Sequence, residues 1–233
     1  MGKRSMERQA SAIVNIVLVG LIFALYAITK QPDSFAVETF ASPIYKANTD
    51  ESISLQWVIS YNASSLDQIL DILEEENVRS TFMVSGKWAR DNEAALLRMA
   101  DEGHEIGTMG DDPSFDGKLS EVREDVKRSL ESIKNISGVD ATLYYSGTRS
   151  VAMSARASRA LGLRQVLCTV DLRCSAGNKD DIIKRGLNEP IIGSIILLQP
   201  TRACADALEG LIDGLSAKGI RAVSVSEVLN GMV

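Results

Sequence analysis

The sequence predicts an α/β fold of parallel strands preceded by one transmembrane helix. The fold rests on seven short β-rich runs, each followed by a helical stretch. Strands alternating with helices pair in parallel through right-handed crossovers. That order suits an open doubly wound sheet or an incomplete barrel, and periodicity alone does not choose between them. The transmembrane helix rests on one long apolar run near the amino end.

That run, residues 11–28, carries no charge, and only Ser11 and Asn15 are clearly polar. As a helix rising about 1.5 Å per residue it spans roughly 27 Å, close to the bilayer's hydrocarbon core. Lys3, Arg4 and Arg8 precede it against the single acid Glu7. Positive flanks stay inside, so residues 1–10 are expected in the cytoplasm and the carboxyl-terminal domain outside. A cleavable signal peptide has a shorter apolar region and a small-x-small site close behind it. The nearest such site here, Thr39 and Ala41, lies far downstream. The run therefore reads as a retained signal anchor in the cell membrane. Residues 29–50, with Pro32 and Pro43 among scattered Ser, Thr and Asn, read as a tether, and 51–233 as the globular domain.

Within that domain the strand candidates are 53–59, 80–85, 104–109, 141–146, 164–171, 191–199 and 222–226. After the first, Leu66, Ile69, Leu70 and Leu73 share one helical face, with Ser65 and Gln68 as a capping box. A helix over 93–102 ends at Gly103, a residue suited to a left-handed cap. Further helices are expected over 120–136, 152–161, 180–187 and 203–218, with a short one at the carboxyl end.

Composition closes several function classes. With 25 Lys+Arg against 31 Asp+Glu, no basic face for nucleic acid is expected. A single histidine, His104, excludes any site needing two imidazoles. Cys168, Cys174 and Cys204 cannot build a four-thiolate zinc site and form no CxxC pair. There is no Gly-rich phosphate loop, GxSxG elbow or adjacent Cys–His pair.

Residues 68–92, QILDILEEENVRSTFMVSGKWARDN, and 99–110, MADEGHEIGTMG, resemble the polysaccharide deacetylases with a NodB-type domain, carbohydrate esterase family 4. They look like that family's helix, ATFF strand, GxW turn and GHEIGNH strand. LGLRQVLCTVD (161–171) and GSIILLQ (193–199) fall where the family has its Asp-bearing strand and its GSIILLH strand. The resemblance covers nearly all of 51–233 and looks most like the membrane-anchored branch of spore-forming Gram-positive bacteria. It implies a distorted seven-stranded (β/α) barrel with its groove at the strand carboxyl ends.

The same resemblance implies a catalytic set that this chain lacks. Where the family's first strand ends in a double Asp, base and metal ligand, this chain has Val58 and Ile59, preceded by Trp57. Met109 and Pro113 stand for the two metal-binding imidazoles, Tyr144 for the Arg that positions the base, and Gln199 for the general-acid His. Only Asp171, on the Asp-bearing strand, is retained, and His104 matches a histidine that does not bind the metal. Val, Ile, Met and Pro offer no hard oxygen or imidazole donor to a divalent ion. No metal or other cofactor is therefore expected.

Other features have plain readings beside functional ones. Asp111, Asp112 and Asp116 form an acidic loop that fits a solvated turn better than a Ca²⁺ site, since it lacks an EF-hand pattern. Asp171 is a general base or a strand-end residue bonded to backbone amides. Cys168 and Cys174 are a disulfide or two buried thiols. Trp57, Tyr144, Tyr145, Asp171 and Gln199 are the candidate groove residues, the aromatics stacking on sugar rings or packing in the core. Trp88 is assigned to the core, and the sequons at Asn62 and Asn135 carry little weight. The sequence thus suggests a catalytically degenerate, extracytoplasmic protein binding cell-wall glycan or an envelope partner. The alternatives are a hydrolase of altered chemistry, using Asp171 and the 111–116 acids, and a structural envelope module.

Overall fold

A computed structural model describes residues 18–20, 42–49, 51–59, 63–188 and 192–230. Among these no helix is long and apolar enough to cross a membrane. The anchor expected over 11–28 lies outside them except for 18–20, which are helical.

The domain opens on β1 (Ser52–Ile59), whose side chains alternate between two buried faces. Ile53, Leu55, Trp57 and Ile59 enter the core beneath the helices, whereas Val58 packs toward the barrel interior. α1 (Leu66–Glu75) buries Leu66, Ile69, Leu70 and Leu73, the face its spacing predicts. Its Ser65 cap makes no side-chain hydrogen bond, so the expected capping box is absent. β2 (Thr81–Val84) leads into a short α2 (Gly86–Asp91), a turn of helix the sequence reading left out. α3 (Glu93–Asp101) ends as expected at Gly103, with φ +78°. β3 (Glu105–Thr108), α4 (Leu119–Ser137), β4 (Leu143–Tyr144) and α5 (Val151–Ala160) follow.

The run 164–171, expected as one strand, is two: β5 (Arg164–Gln165) and β6 (Val170–Asp171). β5 pairs with β4 and β6 with β7, so the chain between them crosses from one end of the sheet to the other. α6 (Lys179–Asn188), β7 (Ile195–Leu198), α7 (Arg202–Ser216), β8 (Arg221–Val223) and α8 (Val225–Asn230) complete the domain. Every strand pairing is parallel, in the order β5-β4-β3-β2-β1-β7-β6, with β8 on β1. Ser54 pairs with both β7 and β8, so β8 takes the edge of β1 that β2 occupies from Gln56 onward. This is the expected (β/α) barrel, its fifth strand split, open between β5 and β6.

The tether differs from expectation at its carboxyl end. Ile44 bridges Val166 and Lys46 bridges Ser194, so this segment touches both margins of the opening. Ile44 donates to Gln165 O at 2.9 Å, accepts from Leu167 N at 2.8 Å, and Ala47 donates to Gly193 O at 2.8 Å. Ala47 is buried in the barrel's inner cluster. Residues 44–47 therefore belong to the folded domain.

Candidate functional site

In a parallel barrel the strand carboxyl ends present side chains to a common groove. Here those ends carry Val58, Met109, Tyr145, Asp171 and Gln199. Val58 and Tyr145 pack partly buried against an inner cluster that includes Met83, Met109, Leu143, Val166 and Ile195. The groove floor is thus largely apolar, with Gln56, two residues before Val58 on the same face of β1, buried beneath it. Burial, then Cys168 and Asp171 nearby, push the Tyr145 hydroxyl up to about 12. Burial, then Asp171, also raises the Cys168 thiol. Tyr145, Cys168 and Asp171 therefore lie within electrostatic reach of one another.

Asp171 is exposed, and its Oδ1 accepts from Arg173 N at 2.8 Å. That is the strand-end bond to a backbone amide, not a base oriented toward a reaction centre. Gln199 is half-buried at the end of β7. His104 lies at the other end of β3 from Met109, outside the groove. Burial holds its imidazole below the usual range, and its Nδ1 accepts from Ser80 N at 3.3 Å.

Two candidate groove residues are corrected. Trp57 is 0% exposed and stacks on Phe82 within the core beneath the helices, ring centroids 6.1 Å apart. Strand alternation sends it to the face opposite Val58. Tyr144 is also 0% exposed, for the same reason, and its hydroxyl meets Ser154 and Arg149. Neither ring is available to a sugar.

The loop after β3 is held by a pair the sequence reading missed. Arg149 and Asp125 are 3% and 1% exposed and meet at 2.6 Å. All five guanidinium N–H groups are used. They go to Asp125, the Tyr144 hydroxyl, and the carbonyls of Met109, Asp112 and Phe115. Asp125 also accepts from the amides of Asp111 and Asp112, at 3.1 and 3.0 Å. Gly110, at φ +87°, passes so close that a Cβ there would strike both side chains. Twenty-four residues separate the pair, and no local pattern links them.

The acidic loop is likewise committed. Asp111 pairs with Arg90 at 2.6 Å, and Asp112 accepts from the amide and hydroxyl of Ser114. Among the described residues no three His, Cys, Asp or Glu side chains converge as a metal site. The donor set does not fit a hard divalent cation: Ile59 faces the core, Met109 is buried among apolar side chains, and Val58 has no donor atom. No hydrolytic step through such an ion can be built from these residues.

A parallel (β/α) barrel with its groove at the strand carboxyl ends is also the fold of the solved carbohydrate esterase PdaA of Bacillus subtilis, which superposes with a TM-score of 0.75. Residues 46–166 match the polysaccharide deacetylase family, and the chain belongs to it. It is similar to the uncharacterized protein YlxY of Bacillus subtilis, 29% identical over 199 residues, covering 81% of this chain and 60% of that protein. The peptidoglycan-N-acetylmuramic acid deacetylase PdaA of Bacillus subtilis is also 29% identical, covering 79% of this chain and 74% of that protein. Among solved structures, BA3943 of Bacillus anthracis, a CE4 family pseudoenzyme, superposes with a TM-score of 0.76 at 20% identity. That match covers 81% of this chain and 69% of BA3943, and shows a shared fold.

Proposed function

We propose that this protein is a membrane-anchored, extracytoplasmic member of the family that no longer hydrolyses acetyl groups and holds cell-wall glycan in its groove. The observation that carries this reading is the groove itself: Val58, Met109, Tyr145 and Gln199 over a largely apolar floor, with the Asp171 carboxylate beside them. An aromatic ring beside polar groups suits a pyranose, whose faces are apolar and whose rim is hydroxylated. The basic flank and apolar run over 11–28 support the anchor and the outward orientation. The peptidoglycan named for PdaA supports a wall glycan as ligand. A hydrolase of altered chemistry has no observation in its favour, since Asp111 is paired with Arg90 of α2, Asp112 is bonded to Ser114 and Asp171 to its own turn.

The test uses the full chain in detergent. Elemental analysis is expected to find no stoichiometric Zn, Co or Ni, and acetate release from N-acetylated glycans to equal that of a heat-killed control. Sedimentation with purified peptidoglycan is expected to capture the chain, and Tyr145→Ala to weaken capture about 2- to 10-fold, as loss of one stacking ring predicts. About one metal ion per chain, or Asp171-dependent acetate release, would overturn the loss of activity. Capture unchanged by Tyr145→Ala would overturn the groove as the binding site.

A further inference from the structure

The sequence leaves Cys168 and Cys174 as the candidate disulfide, but the fold brings a different pair together. Cys174 lies in the loop after β6, three residues beyond Asp171, and Cys204 in the first turn of α7, five beyond Gln199. Both are buried, and their Sγ atoms are 2.7 Å apart. Non-bonded carbons rest about 3.5–4.0 Å apart, and sulfur is larger. A disulfide closes that gap to about 2.0 Å. Backbone contacts already hold the two segments in place. Thr201 Oγ1 donates to Cys174 O at 3.1 Å and accepts from Cys204 N at 3.3 Å, so one cap residue joins both cysteines. Cys168 stands elsewhere, half-buried beside Tyr145 and Asp171.

We propose that Cys174 and Cys204 form a disulfide that fastens the loop carrying Asp171 to the helix that follows Gln199, while Cys168 stays a thiol. The bond would add a covalent tie between two walls of the groove that the β6–β7 pairing and the Thr201 hydrogen bonds already bring together. The oxidant is a thiol-exchanging disulfide, small or protein-borne, of the kind found outside the cytoplasm. The Cys174 thiolate attacks one sulfur of that disulfide and expels the other as thiolate, forming a mixed disulfide. The Cys204 thiolate then attacks the Cys174 sulfur, and the oxidant's second sulfur leaves as thiolate. The chain loses two protons and two electrons, and the oxidant becomes two thiols. Both sulfurs are buried in the finished fold, so exchange belongs to folding, before α7 seals the loop.

The full chain, unfolded in urea and refolded in a reduced and oxidised glutathione buffer, is expected to show one free thiol on denaturing titration and three after reduction. Unreduced peptide mapping should find Cys174 linked to Cys204. Cys168→Ala should leave no free thiol, whereas Cys174→Ala and Cys204→Ala should each leave two. Reduction of the refolded chain should lower its melting temperature by roughly 5–15 °C, and the Cys174→Ala/Cys204→Ala double variant should show no such shift. Three free thiols in a chain with native circular dichroism, glutathione adducts on Cys174 and Cys204, or a linkage through Cys168 would overturn the proposal. If refolding fails, denaturing thiol titration and unreduced mapping of the full chain purified without reductant supply the same count. None of these readouts depends on glycan capture or on where the protein resides.

Discussion

Arg149 shows how far one side chain can organise a loop. Its charge is buried, and what keeps it tolerable is that every N–H finds an acceptor and one acceptor is the carboxylate of Asp125. Against burial, Tyr144 and then Asp125 hold the guanidinium firmly protonated. Arg149→Met removes the partner and leaves Asp125 buried, a change that typically costs about 3–5 kcal/mol. Urea unfolding is expected to report a loss of that size. Adding Asp125→Leu should recover only part of it, since Asp125 also holds the amides of Asp111 and Asp112. His104 gives a second residue-scale outcome. Burial lowers its folded pKa below the ordinary 6.5, so the folded chain prefers the neutral ring. As pH falls the unfolded chain binds this proton first. Its contribution is therefore complete above pH 6.5 and is lost as pH falls from there through the lower folded value. Unfolding free energies measured between about pH 7.5 and 5 are expected to fall less steeply in His104→Gln than in the unaltered chain.

Among the elements, the helices were the more legible. Leu66, Ile69, Leu70 and Leu73 recur at helical spacing because one face of α1 packs on the sheet, so the pattern and the burial coincide. The strands were legible in type but not in extent. RQVLCTVD is apolar enough to read as one strand, yet only its two ends join other strands of the sheet, and different ones, because the barrel's opening falls in its middle. Which side chains reach the groove follows from alternation only when the strand's register is known. Trp57 and Tyr144 are each one residue out of phase with the positions that look inward, and a sequence displays no inside or outside for a run apolar on both faces. Tyr145, Asp171 and Gln199 were named as groove candidates, and they lie at or just past strand carboxyl ends. The Arg149–Asp125 and Cys174–Cys204 pairs were not, because each joins segments far apart along the chain.

For the whole molecule, the seam between β5 and β6 is the feature that most shapes behaviour. The chain from Ile44 to Ala47 lies along it, reaching Val166 on one side and the Gly193–Ser194 turn on the other, and Thr169 Oγ1 donates to Tyr45 O. A chain begun at residue 51 forfeits these bonds, each worth about 1 kcal/mol net. It is expected to be roughly 2–4 kcal/mol less stable in urea than one begun at residue 41, with tighter proteolytic protection in the longer chain. The same placement governs how the domain would bear a mechanical load. A pull applied through the amino-terminal segment enters the fold at Ile44 and is met first by the short bridges to Val166 and Ser194, before it reaches β1. The segment would peel away as a fuse, yielding several residues of extra length while the strands behind it remain paired.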